Sequence, residues 1–293
     1  MTGRRRLVRV PASSANLGPG YDVLAAALDI HLELEVSEAG AFEVDAGEGL
    51  PTGRENLCVR AFERLHSADG LRFEIRSEIP VARGLGSSAA AIVAGLLAAD
   101  HLYELGLDPP DVYRHAVELE GHPDNVAAAL FGGFAVCPPD PGADSALPTR
   151  LEPPQGVEGV LAIPSEEVAT EAARAALPAE VPMGDAVANV SAASHLVLGI
   201  ERSDLTLISR GLADRLHQRR RAAVYPRSIE LLSLAGEVGA IGATVSGAGP
   251  AVLYWCFWQD TGKVVDTLGE RAGDGVEVRR ARFTPLGADV PEL

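Results

Sequence analysis

The sequence has almost no lysine. Among its 293 residues Lys263 stands alone, so nearly all of the positive charge is arginine. A Walker A phosphate loop needs Gly-Lys-Ser/Thr. Gly262-Lys263 is followed by Val264 and the upstream glycine falls out of place, so an ordinary P-loop NTPase is excluded. Cysteine is nearly as scarce. Cys58, Cys137 and Cys256 lie far apart in apolar company, with no metal or redox spacing, and are expected as buried thiols. No apolar run reaches the roughly eighteen residues of a membrane-spanning helix. Pro11-Ala12-Ser13-Ser14 cuts off the basic N-terminus before the apolar segment of a signal peptide can form. A cytoplasmic protein is expected. The formal net charge of −16 speaks against nucleic acid or an anionic membrane as partner. It also offers a polyanion no long-range attraction, so any phosphate site must be built locally, from amides, arginines and a metal ion.

What is present is small and glycine-rich. The stretch Pro80-Val81-Ala82-Arg83-Gly84-Leu85-Gly86-Ser87-Ser88-Ala89-Ala90 runs straight into an Ala-rich apolar helix reaching about Tyr103. Its residues have little bulk, so backbone N–H groups can approach a ligand, and the positive end of the helix dipole points at the same place. This is an anion site. Gly84-Leu85-Gly86-Ser87-Ser88-Ala89 fits the loose dinucleotide pattern G-x-G-x-x-G/A, but that pattern needs a strand just before the first glycine and an acid after the next strand. Here Pro80 to Arg83 intervene, and twenty residues on the chain is still helical near Glu104, so a Rossmann domain is set aside.

Residues 5–10 alternate as a strand ending at Pro11, followed by a turn-rich loop to Asp22 that carries Asn16. Two readings of this loop stay open. Asp22 caps a helix starting near Val23, or Asn16 and Asp22 form a polar pair that grips a small polar substrate. Residues 31–36 and 41–45 read as antiparallel strands, 56–66 as a helix, and 71–78 as a strand. A helix over 109–120 ends in Gly121-His122-Pro123-Asp124-Asn125, with Glu118 and Glu120 at the end where the dipole disfavours acids. Residues 138–154 are rich in Pro, Gly and Asp, and read as a long loop and domain boundary, giving units 1–150 and 151–293. The second half reads as strand 159–164, helices 166–177 and 185–201, a basic helix or loop 211–221, helix 227–238, strand 251–257, helix 261–271 and strand 276–283. That is α+β, of ferredoxin-like character.

Three loops in order carry a resemblance. Pro11-Ala12-Ser13-Ser14-Ala15-Asn16-Leu17-Gly18-Pro19-Gly20-Tyr21-Asp22, the Pro80 to Ala90 loop, and Thr244-Val245-Ser246-Gly247-Ala248-Gly249-Pro250 together resemble the three motifs of the GHMP kinase superfamily, over essentially the whole chain. The Tyr21-Asp22 form of the first motif, Gly121 to Val126 with Phe131-Gly132-Gly133, Thr170 to Arg174 before Leu177-Pro178, and Arg221 before Pro226 are similar to the members that phosphorylate L-homoserine.

The resemblance implies an N-terminal ribosomal-S5-domain-2-like domain and a C-terminal ferredoxin-like domain, with ATP and acceptor in the cleft between them. It implies phosphoryl transfer from ATP to L-homoserine, a step of threonine biosynthesis, and leaves a homodimer open. It assigns Pro80 to Ala90 to the phosphates, Asn56 to the neighbourhood of the adenine, and Ser88 with Glu120 to Mg²⁺, Glu118 remaining an alternative. It assigns Arg174 and Arg221 to the substrate carboxylate, and Asn16, Asp22 and Asp124, with His122 nearby, to the ammonium and orientation. Where sister kinases place a catalytic Asp, this chain has Asn125. An amide cannot take a proton, so the implied role is orientation of the hydroxyl, with Asp22 as the rival base.

Overall fold

The computed structural model describes residues 3–47, 49–139 and 147–291. The first sheet is organised around one long strand. β1 (Arg5–Ala15) pairs antiparallel along one edge of β2 (Leu24–Glu38). The other edge of β2 is shared by β4 (Leu71–Ser77) and β5 (Phe134–Val136), with β3 (Glu43–Asp45) and β6 (Thr149–Leu151) outermost. Helices α1 (Leu57–Glu63), α2 (Ser87–Tyr103), α3 (Pro109–Glu120) and α4 (Asp124–Phe131) belong to this half. α2 is its hub, packed on β1, β2, α1, α3 and α4. Neighbours on so many sides explain why α2 is apolar over most of its length instead of amphipathic.

The second half has α5 (Thr170–Ala175), α6 (Met183–Arg202), α7 (Leu205–Gly211), α8 (Pro226–Ser233), α9 (Ala235–Val238) and α10 (Thr261–Arg271). They accompany an antiparallel sheet of β7 (Val157–Pro164), β8 (Gly242–Val245), β9 (Val252–Phe257) and β10 (Val276–Ala281), in the order β10-β7-β9-β8. That is the ferredoxin-like order 4-1-3-2 expected from the sequence. The segment after β10 returns to the first sheet: Thr284 N–H donates to Ala27, and Asp289 exchanges backbone hydrogen bonds with Arg9. Phe283, Phe134 and Trp255 form an aromatic cluster, with centroids 4.9–5.7 Å apart, that makes one core of the two sheets.

Several expectations need correction. β1 does not stop at Pro11; it shifts register between Pro11 and Ala12 and runs on to Ala15. The residues after Val23 are strand, not helix, so Asp22 caps nothing there. Leu24 to Leu28 are all buried, which erases the alternation that marks a strand with one wet face. β3 pairs with β4 in parallel, not antiparallel. The stretch 138–154 holds β6, a strand of the first sheet, while residues 140–146 of it lie outside the described residues. α4 and α7 went unread; helix 166–177 shrinks to α5, and 227–238 divides into α8 and α9.

Candidate active site

A cleft of about 1320 Å³, open mouth included, lies where the three glycine-bearing loops meet. Its phosphate-like end is backbone. Gly84 and Gly86 have φ of +75° and +69°, and Gly86 starts α2 with no side-chain cap, so the first amides of that helix are left for a ligand. A Cβ on Gly84 would lie 2.2 Å from the Ser246 carbonyl, and one on Gly86 would lie 2.0 Å from Ser13 Oγ. Only glycine fits either position. The loop is held from both sides. Ser13 N–H donates to Leu85 at 3.1 Å, and Ser246 Oγ lies 2.7 Å from the Gly84 carbonyl and 2.8 Å from Ser14 Oγ. Asn16 Nδ2 donates to Gly247 at 2.8 Å, so the first and third motifs are tied directly.

At the first turn of α2, Ser88 Oγ donates to Glu120 Oε2 at 2.6 Å. Glu120, at the end of α3, is mostly buried, and burial raises its pKa against the opposing pull of the Ser88 hydrogen bond. Glu118 lies elsewhere, half-exposed and paired with Arg64 at 2.6 Å. Ser88 and Glu120 are two hard oxygen donors. Among the described residues no group of three or more His, Cys, Asp or Glu could hold a metal. The donor set thus fits a hard cation that takes its remaining ligands from phosphate and water.

His122 joins the two ends of the cleft, with Nδ1 3.2 Å from Asp124 Oδ1 and Nε2 3.7 Å from Glu120. Burial opposes its charge, but the Asp124 hydrogen bond and carboxylate outweigh it and raise the pKa. Asp124 is itself buried and accepts from the Asn125 N–H at 2.7 Å. Asn125 lines the cleft, its Oδ1 2.8 Å from Ser13 Oγ. Asn56 also lines it, but its side chain caps α1 and donates to Pro51, so it shapes the wall of the cleft. Asn16 likewise accepts from the Asp22 N–H at 3.0 Å and holds that turn at positive φ.

The far end carries charge. Arg174, from α5, forms a two-pronged pair with Asp22 at 2.7 and 2.8 Å and donates to Tyr21 Oη at 3.0 Å. The two groups expected to meet opposite ends of a ligand thus hold each other. Arg219-Arg220-Arg221 is no uniformly solvated basic face: Arg219 is exposed, Arg220 pairs with Asp185, and Arg221 is 2% exposed. Arg221 Nε has no hydrogen-bond partner among the described residues, and its guanidinium sits 5.0 Å from the Tyr21 ring centroid. Two contributors escaped the sequence reading. Tyr21 lies against both arginines, and the buried His217 donates from Nε2 to Gly18 O (2.7 Å) beside Arg221. Tyr21 adjoins Asp22 in the first motif and was within reach; His217 carries no local signal.

The N-terminal domain of the GHMP kinases matches residues 56–133, and the C-terminal domain of the same family matches residues 196–273. The chain belongs to the GHMP kinases. It is 44% identical to the homoserine kinase of Thermus thermophilus, covering 90% of this chain and 91% of that one. It is 40% identical to the homoserine kinase of Moorella thermoacetica, covering 85% and 87%. The crystal structure of homoserine kinase from Cytophaga hutchinsonii superposes with a TM-score of 0.86 at 28% identity, covering 98% of both chains.

Proposed function

We propose that this kinase transfers the γ-phosphoryl group of ATP to the hydroxyl of L-homoserine, giving O-phospho-L-homoserine and ADP, in the cytoplasm and as a step of threonine biosynthesis. The observation that carries the reading is the charge set at the far end of the cleft. Arg221 is a buried guanidinium whose Nε has no hydrogen-bond partner among the described residues, and it lines the same cleft as Asp22 and Asp124. An α-amino acid supplies the missing carboxylate through forked donation and brings an ammonium for the acids. A mevalonate-like or sugar acceptor brings no ammonium to Asp22 and Asp124.

Phosphoryl transfer asks chiefly for positioning and charge neutralisation. On this reading the amides from Gly84 to Ala90 hold the β- and γ-phosphates at the start of α2. Ser88 and Glu120 would hold Mg²⁺, which when bound supplies neutralisation of phosphoryl charge. Arg174 leaves Asp22 for the substrate carboxylate, which frees Asp22 for the ammonium alongside Asp124, while Asn16 keeps the loop in shape. Asn125 orients the reacting groups. The hydroxyl proton passes to a γ-phosphoryl oxygen in a loose transition state, since the Asn125 amide cannot take a proton and Asp22, once released by Arg174, is engaged by the ammonium. Residues 1–150 carry most of the nucleotide side of the cleft, and residues 151–293 supply Arg174 and Arg221. A coupled assay of ADP release with L-homoserine, L-threonine, mevalonate and galactose tests the proposal. Turnover selective for L-homoserine supports it, and absence of homoserine turnover overturns it.

A further inference from the structure

The serine doublet of the first motif has no part in the assignments above. Its backbone explains why there are two. β1 extends to Ala15, so successive side chains point to opposite faces of the strand. Ser14 meets Ser246 of the third motif, whereas Ser13 meets Asn125 at the start of α4. Ser13 is fully buried and does not line the cleft, so it reaches ligand only through another residue.

The Ser13 contact has a direction. A buried hydroxyl must donate its hydrogen, and among the described residues Asn125 Oδ1, at 2.8 Å, is the only hydrogen-bond partner of Ser13 Oγ. Turning the amide over would leave that hydrogen without an acceptor. Oδ1 therefore faces Ser13, and the two Nδ2 hydrogens lie on the opposite edge of the amide, with no protein partner among the described residues. A Cβ built on Gly86 would lie 2.0 Å from Ser13 Oγ and 3.1 Å from Asn125 Oδ1, so the pair sits directly against the first turn of α2.

We propose that Ser13 is a positioning residue for phosphoryl transfer. By donating to Asn125 Oδ1 it fixes the amide with Nδ2 as a donor into the cleft, toward an oxygen of the transferring phosphoryl group. The inference rests on the reading of Asn125 given above. A neutral amide donor suits a place next to accumulating negative charge, where a carboxylate would repel it.

A double-mutant cycle on kcat and on both KM values tests it. Asn125→Ala is expected to lower kcat about 100-fold, as for loss of one preorganised donor to developing charge. Ser13→Ala is expected to lower kcat about tenfold while both KM values stay within about twofold, because binding contacts remain. The double variant is expected to match Asn125→Ala within about twofold, since Ser13 acts only through Asn125. Ser13→Cys, a weaker donor, should fall between Ser13→Ala and the parent, and decides the matter if the alanine variant does not fold. Parental kcat in the Ser13 variants together with an impaired Asn125→Ala overturns the inference alone. So does additive loss in the double variant, or a Ser13 effect confined to the KM for ATP. Parental kcat in Asn125→Ala overturns the reading on which it rests.

Discussion

The two ends of the cleft are made of different material. On the proposed reading, recognition at the phosphate end comes from backbone amides, held by glycines where a Cβ would clash. At the acceptor end it comes from charged side chains, one pair satisfied within the protein and one guanidinium left with a free edge. A backbone site is rigid and nearly insensitive to its side chains except where a Cβ intrudes. A side-chain site can be graded, because each charge is deleted separately and binding is lost in steps.

The sharpest way to break the contrast is Gly84→Ala. The added Cβ would meet Ser246 O at 2.2 Å and Gly249 O at 2.8 Å, both backbone atoms, at a φ that disfavours any side chain. kcat/KM for ATP should fall at least about 100-fold in steady-state kinetics, the scale of losing an organised phosphate cradle. Arg221→Met comes next. Homoserine KM should rise about 30-fold, for one buried charge-assisted contact, with kcat within about threefold. The melting temperature of the substrate-free variant should equal or exceed that of the parent, because a buried charge without its counter-ion has been replaced by an apolar chain. A lower melting temperature would show that Arg221 is structural.

Arg174→Ala should raise homoserine KM only about fivefold, since this arginine is partly exposed and its bond to Asp22 must be given up on binding. The smallest effect is on pH dependence. Burial, and to a lesser degree Arg221, lowers the pKa of His217 below its ordinary value of 6.5. The unfolded chain therefore takes up a proton that the native protein refuses. The His217 contribution to stability should be level above about pH 6.5 and decline as pH falls through and below it. Urea midpoints at about pH 5.5 and about pH 7.5 should differ less in His217→Gln than in the parent. Equal differences would remove His217 from the acid response.

The phosphate end was legible in the sequence and the acceptor end only partly so, for a related reason. Gly84, Gly86 and Ser88 do their work within one loop and one helix start, so their spacing survives in the chain. Arg221 reads as one of three consecutive arginines, and only packing against Tyr21, His217 and Tyr225 decides that it is the buried one. The pairing of Asp22 with Arg174 spans 152 residues and leaves no local trace. In the fold, α3 was read with its bounds because Asp108, Pro109 and Gly121 mark its ends. One open reading made the start of β2 a helix, because Ala25, Ala26 and Ala27 are buried on both faces, where alanine propensity and pattern both favour the wrong element.

The return of the chain after β10 has a consequence for how the protein is made. Ala27, Arg9 and Gly133, all in the first half, take hydrogen bonds from or give them to residues 284–289, and Phe134 completes its aromatic cluster with Phe283. A nascent chain that has emerged only through β6 has a sheet with unfilled backbone partners and an exposed aromatic side. It waits on residues synthesised more than a hundred positions later. Long-range closure of this kind slows folding and leaves the first half dependent on the second for part of its sheet.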